Sequence, residues 1–386
     1  MTTVALGALR LDAGGHLLLV RAIRAAAPGA TIQVTGDDPS LPVLLGAWCR
    51  AEGLACSGTT LVAGPLRDRW PGAERAEGSA PGAVHPHPSP AWGLAARGAA
   101  VEAGLQPFDF RLVHQDDVWA DEAGRLYAQA AAAQWDPATL PWSTPLTHPD
   151  LVEDAVVTVF TYLIENEVAA LMVPTRFLGT LHPHFREVMQ LLAIQGADEA
   201  RHIEVFTRRI AVSGRPPGLS TRGGQESLRT LLDEGDFALA SFLLSVLGEG
   251  TFLELLWFLH EHAPDPLTRE LTRLAAQDEA RHVAFGLAHL TRHAQRDSTL
   301  LPRLSAAVER RYDALRNTAG LNEEVADALV VIAAGSLEPD AIQRGWAAVE
   351  GLRARMDANR QARLLRLGLE APEAARLSTL HTRNFM

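Results

Sequence analysis

Lysine does not occur in this sequence, and all 35 basic residues are arginine. That absence excludes every chemistry built on a lysine amine: Schiff-base and pyridoxal-phosphate enzymes, and the phosphate-loop lysine of Walker-type nucleotidases. Cysteine is almost as scarce, with Cys49 and Cys56 alone. Two thiols cannot build a disulfide framework or a thiolate zinc cage, and they suit a reducing compartment. Basic residues fall short of the 46 acidic ones, leaving a formal charge of −11 and a pI near 5.7, a balance wrong for gripping nucleic acid. Long hydrophobic runs are missing too. The least polar one, Phe237 to Gly248, is bounded by Asp236 and Glu249 and is too short to span a bilayer. No basic region precedes an apolar stretch in Met1 to Gly15, so no signal peptide is expected. The expectation is a cytoplasmic protein with neither a nucleic-acid nor a membrane partner. What the chain has is length: 386 residues, 47% of them apolar, enough for two or three domains around a large core.

The first 65 residues alternate apolar segments with turn signals. Val4 to Leu11 is strand-like, His16 to Ala27 has a helical period stopped by Pro28-Gly29, Thr31 to Thr35 alternates as a strand, and Leu44 to Glu52 reads as a helix before Leu61-Val62. This is a small α/β unit. Residues 66–146 begin with a stretch crowded with proline, glycine and alanine, in which His85 and His87 are expected to be solvated, and read as a linker and connecting segment. Val118 to Tyr127 fits a hairpin or the start of a helix equally well. Residues 147–386 are helical almost throughout, with long segments expected at Leu151–Leu178, Phe185–Val212, Gln225–His260 and Pro266–Gln295. The fold class is therefore mainly α, a helical bundle with extra helices plus the small amino-terminal α/β domain.

One repeat within the helical part carries the chemistry. Asp198-Glu199-Ala200-Arg201-His202 recurs as Asp278-Glu279-Ala280-Arg281-His282, eighty residues later. Glutamate and histidine three apart project from one helix face, so each pair can offer an oxygen and a nitrogen to one metal ion. Each half-site needs a further carboxylate, because a buried acid must be paired. The preceding helix of each repeat supplies one. Aligning the repeats pairs Glu167 with Glu249, which lie 32 and 30 residues before the downstream glutamates. Glu165 is the rival at the first position and Glu254 at the second; a helix places Glu165 and Glu167 about 200° apart, so only one of them faces the metals. Of the other polar candidates, His182, His184, His260 and His262 read as surface or capping residues. Phe160, Leu163, Phe252 and Phe258 read as core.

Four helices offering Glu, Glu-x-x-His, Glu and Glu-x-x-His resemble the ferritin-like di-iron carboxylate superfamily, and the doubled Asp-Glu-x-Arg-His is similar to the signature of bacterial multicomponent monooxygenases. The resemblance covers roughly residues 147 to 295. It implies a ferritin-like four-helix bundle holding two metal ions through Glu167, Glu199, His202, Glu249, Glu279 and His282, with Glu167 and Glu249 also placed at the reacting centre. Asp198 and Asp278 would hold imidazole N–H groups, and Arg201 and Arg281 would pair with carboxylates around the site. Oxygen and imidazole ligands without thiolate suit two irons, or manganese. About the first sixty residues, the 1–65 unit, resemble a TusA/SirA-type sulfur carrier, but Asp12-Ala13-Gly14-Gly15-His16-Leu17 stands where that family has Cys-Pro-x-Pro. Without a thiol there persulfide transfer is impossible at that position, and Cys49 reads as a buried helix residue. A docking or dimerisation module, compatible with a homodimer, fits better.

The superfamily resemblance implies an oxidoreductase that reduces dioxygen and hydroxylates, desaturates or N-oxygenates a small organic substrate, with electrons from an external ferredoxin or flavin reductase. Ferroxidase or peroxide-scavenging activity, and a metal that only braces the bundle, are the alternatives. Phe206 occupies the position of the radical tyrosine of class I ribonucleotide reductase, and Ala275 that of the third histidine of p-aminobenzoate N-oxygenases, so neither speciality is supported.

Overall fold

The computed structural model describes residues 2–316 and 323–385. Contacts divide the chain into two units, Met1–Glu74 with Ala100–Gly104, and Arg75–Ala99 with Leu105–Met386.

In the first unit, β1 (Thr2–Ala5) runs parallel to β2 (Thr31–Thr35), which pairs antiparallel with β4 (Thr60–Val62), which in turn pairs with β3 (Cys56–Ser57). Alternation in β2 puts Ile32 and Val34 inside. Helices α1 (His16–Ala25) and α2 (Leu41–Glu52) bury Leu19, Ile23, Leu45 and Cys49 in the same core. Gly53, in the left-handed region at φ 75°, ends α2. The first strand is shorter than its apolar pattern suggests, because the chain turns at Gly7 with φ 56°.

The second unit is helical. After the short α3 (Gln115–Val118) and α4 (Ala123–Ala132), the long helices are α5 (Asp150–Thr175), α6 (Arg186–Val212) and α10 (Pro266–Ala294). The ambiguous Val118–Tyr127 pattern is thus resolved as helix. The expected continuous helix over Gln225–His260 is instead broken. Asp233–Asp236 separates α7 (Arg222–Leu232) from α8 (Phe237–Ser241), which continues as a π-helical stretch, Phe242–Glu249, into α9 (Gly250–Glu261). The break has a local cause: the Asp236 carboxylate accepts the Leu239 N–H (3.0 Å) and so starts a new helix. Asp265 caps α10 in the same way through Thr268, with Pro266 at its first position. Helices α11 (Leu300–Leu315), α12 (Glu323–Ala334), α13 (Pro339–Arg366) and α14 (Ala371–Phe385) pack around the four-helix centre.

Residues 75–99, expected as a solvated linker, pack onto the helical unit. Arg97 binds Glu187 (2.7 Å) and the His184 carbonyl (2.5 Å), and the His85 N–H donates to His184 Nε2 (2.8 Å). His182 does cap the turn before α6, accepting the His184 N–H, but neither ring is at the surface: both are buried. A turn rich in proline loses little entropy on ordering, which is why a stretch with few periodic apolar residues can still dock. His87 is exposed as expected, and Phe160, Leu163, Phe252 and Phe258 are core.

The bundle core falls into two apolar clusters. One gathers the amino-terminal halves of α5 and α10 with the carboxy-terminal end of α6 and α9, as in Phe160, Phe206, Leu256 and Leu271. The other gathers the opposite halves, as in Val173, Leu191, Leu243 and Phe285. Between them lies a polar layer. Helix α5 and the Phe237–Glu261 stretch are long and apolar enough to cross a membrane by length and composition, yet 61% and 83% of their apolar windows are buried inside the protein.

A second buried polar group ties three of these helices at one end. Arg209 of α6, fully buried, binds both oxygens of Glu153 on α5 (2.6 and 2.9 Å) and Asp265 before α10 (2.9 Å). Removing the cation strands two buried carboxylates, so Arg209→Ala should cost about 3–5 kcal/mol in chemical denaturation. Arg215→Ala, which removes exposed pairs with Asp150 and Asp154, should leave the midpoint nearly unchanged.

Candidate metal centre

The polar layer consists of the six residues of the doubled motif and its upstream acids. Glu167 comes from α5, Glu199 and His202 from α6, Glu249 from the last residue of the π-helical stretch, and Glu279 and His282 from α10. All six are at least 96% buried. Their ligand atoms form two overlapping groups, Glu167–Glu199–His202–Glu279 and Glu199–Glu249–Glu279–His282, each with atoms within 4.8 Å of one another. Each group can hold a metal ion. Glu199 and Glu279 belong to both and would be shared by two ions, with Glu167 completing one group and Glu249 the other.

The rings face inward through Nδ1. His202 Nδ1 lies 3.3 Å from Glu199 and 3.4 Å from both Glu167 and Glu279. His282 Nδ1 lies 3.0 Å from Glu199 and 3.4 Å from Glu279. The outward nitrogens cross between the repeats: His202 Nε2 meets Asp278 (3.2 Å) and His282 Nε2 meets Asp198 (3.3 Å). Each aspartate precedes a glutamate of its own helix but steadies the histidine of the other. Arg201 then joins both aspartates (2.5 and 2.8 Å), and Arg281 pairs with Asp278. Despite burial, the hydrogen bonds and charge of the facing histidines, His282 for Asp198 and His202 for Asp278, hold both aspartates below the ordinary carboxylate range, with Arg201 adding to the effect at Asp278.

Three partners lie outside the repeated motif. Gln134 bridges Asp198 (2.8 Å) and Arg201 (2.5 Å), and Trp135 donates its indole N–H to Asp278 (2.8 Å) while its ring lies under Arg201. Both come from the aperiodic segment after α4, where no signal could mark them. Gln195 donates to Glu249 (3.0 Å), and its position one turn before Glu199 could have been noticed. The rival acids lie elsewhere. Glu165 lines an outer groove, and Glu254 accepts a hydrogen bond from Asn359 (2.6 Å).

The electrostatics fit metal cations. Glu167 Oε1 and Glu249 Oε2 are buried with no hydrogen-bond partner, and the Glu199 oxygens and Glu279 Oε2 face only imidazole Nδ1 atoms, a cost that a cation or protons can offset. Burial and the Glu199 charge push the Glu167 carboxyl up to about 8, and burial with Glu279 pushes Glu249 well up. Against the penalty of burial, the surrounding carboxylates hold His202 and His282 well above the ordinary imidazole range. In the metal-free protein the layer is therefore neutralised by protons. A narrow pocket, lined by Glu167, Glu249, Glu279, Ala170, Leu231 and Phe252, reaches this layer and admits little more than one water-sized molecule.

No protein-family model and no curated protein matches the chain. Solved structures do. A valine-to-isoleucine variant of an R2-like ligand-binding oxidase with an aerobically reconstituted Mn/Fe cofactor superposes with a TM-score of 0.51 at 15% identity, over 64% of this chain and 94% of that one. A tyrosine-to-phenylalanine variant, also described with that cofactor, gives 0.51 at 16% identity over the same shares. At such identity the likeness shows the fold, a ferritin-like helical bundle.

Two consequences can be measured. The apo protein should take up two ferrous or manganous ions per chain. Glu199→Ala or Glu279→Ala, each shared by both groups, should abolish loading, whereas Glu165→Ala and Glu254→Ala should retain two ions by elemental analysis. Uptake must also displace protons from Glu167, His202 and His282. Apparent affinity should therefore rise with pH through about 8, where Glu167 is half-deprotonated, and an indicator dye should report acid released at neutral pH.

Proposed function

We propose that the chain is a metal-dependent oxidoreductase that activates dioxygen at a pair of irons, or at manganese and iron, and oxidises a small organic molecule by hydroxylation, desaturation or N-oxygenation. The observation that carries this reading is the convergence of four carboxylates and two imidazole nitrogens in one buried layer, in two groups of ligand atoms that share Glu199 and Glu279. Bound there, the metals would supply electrons and positive charge to dioxygen as it is reduced. Glu199 and Glu279 would hold both ions, while Glu167 would complete one group and Glu249 the other, both beside the pocket. Asp278, Asp198, Arg201 and Arg281 would fix the imidazoles with Nδ1 inward.

Dioxygen and an organic molecule would reach the metals through the pocket. Of the small residues near the acids, Ala170 and Gly248 line the pocket, while Ala169 faces the outer groove and Gly250 makes room for the Arg363 guanidinium. Electrons would come from a separate donor such as a ferredoxin or flavin reductase, and the half-buried Trp135, hydrogen-bonded through Asp278 to His202, offers a route from the surface. The α/β unit is proposed as a docking or dimerisation module resembling TusA/SirA proteins. Burial and the neighbouring Cys56 push its Cys49 thiol up to about 12, which suits a core residue and not a sulfur carrier.

The tightness of the pocket favours a second reading, ferroxidase or peroxide scavenging without an organic substrate. Stopped-flow mixing of the reduced, iron-loaded protein with oxygenated buffer separates the two. Acceleration or a new product on adding a small organic candidate supports the first reading; a mineral core with many irons oxidised per chain supports the second. Trp135→Phe should slow reduction of the oxidised centre by an external donor while leaving iron content at two.

A further inference from the structure

The helix that the sequence pattern fails to separate, α7, lies between the metal pocket and an open surface groove. Helix α5 contributes Asn166, Glu167 and Ala170 to the inner pocket and Ile164, Glu165 and Ala169 to the groove. Helix α7 contributes Leu231 to the inner pocket and Leu228 and Leu232 to the groove. Neighbouring residues of the same two helices thus face opposite sides of one seam, and a single layer of side chains, alanines on one helix and leucines on the other, divides the two spaces. The groove is far roomier than the pocket.

Few contacts fix α7 at its ends. Its carboxy-terminal carbonyls are held by the Arg176 side chain, which donates to the carbonyls of Leu232 and Glu234. On the amino-terminal side, the Gly218 N–H donates to Thr161 (2.7 Å), and the loop before α7 holds Gly214 at φ 70° with Pro216 and Pro217 following. Between its ends α7 is held by the buried Arg311 of α11, which donates to the Ser227 hydroxyl (2.9 Å), so when the Arg176 bonds open the carboxy-terminal turn that carries Leu231 can swing about that point.

We infer that α7 is a gate between groove and metal pocket, and that Leu231 sets the girth of the organic molecule admitted to the metals. The path is lined by alkyl and aromatic side chains, with Leu244 and Phe252 at its inner end. A charged group would lose its hydration without a partner while it crossed that wall. The part of the molecule that crosses it is therefore apolar, while a polar end can stay in the groove beside Glu165, Gln225 and Glu226. The inference rests on the proposed dioxygen-activating function.

Methyl, butyl and benzyl isocyanide, neutral ligands of ferrous iron with increasing girth, provide the test when mixed anaerobically with the full-length di-ferrous protein and followed by absorbance. In the native chain the binding rate should fall steeply from methyl to benzyl. Leu231→Ala should raise the benzyl rate roughly tenfold while barely changing the methyl rate, and Leu231→Trp should slow all three. Arg176→Gln, which loosens the end of α7 without altering the wall, should also raise the benzyl rate. Equal benzyl rates in all four proteins, each holding two irons, would overturn the gate alone. A native chain that takes up no iron would overturn the functional reading and the gate together.

Discussion

Four carboxylates forced into one dry layer is the constraint on which the rest of this protein is organised. At separations of a few ångströms inside a core, like charges repel strongly and cannot all stay ionised without cations. Metal ions would resolve that conflict with bonds that also join four helices. Protons resolve it in the metal-free chain, which is why two glutamates there are driven toward their neutral forms and both imidazoles toward their charged forms. The apolar clusters on either side matter to this balance, because they keep water from screening it.

The aspartates and arginines of the motif are the second tier of the same design. Because α6 and α10 run in opposite directions, each aspartate falls beside the other helix's histidine, so that the two repeats brace one another. Arg201 reaches both aspartates and is itself held by Gln134 and stacked on Trp135. A single substitution in this ring would disturb both halves of the site.

Glu249 reaches the layer from a helix that is wound more widely than its neighbours. A π-helical stretch turns less per residue than an α-helix, and such insertions recur at functional sites because they re-aim a side chain at the cost of weaker backbone packing. Close contact accompanies it: a Cβ on Gly286 of α10 would come within 2.7 Å of Ser245 Cβ in this stretch. Glycine on one helix lets the widened turn of the other approach.

Much of this was present in the order of residues. The doubled Asp-Glu-Ala-Arg-His marks two helices and four ligands, because a three-residue spacing projects both side chains to one side whatever surrounds the helix. Alignment of the repeats selects Glu167 and Glu249, the two acids the fold brings inward, over Glu165 and Glu254. Likewise Ile32 and Val34 announce a strand through alternation alone. What the order of residues does not contain is what depends on contacts distant in sequence. The bracing of His202 by Asp278 spans 76 residues; Trp135 and the docked residues 75–99 belong to segments without period; and the separation of α7 follows from one aspartate cap that the apolar pattern hides. Local spacing determined the ligands, and the packing of remote segments decided which partners hold them and where the pocket opens. Periodicity reports only which face of an element is apolar, and it is silent about what that face meets.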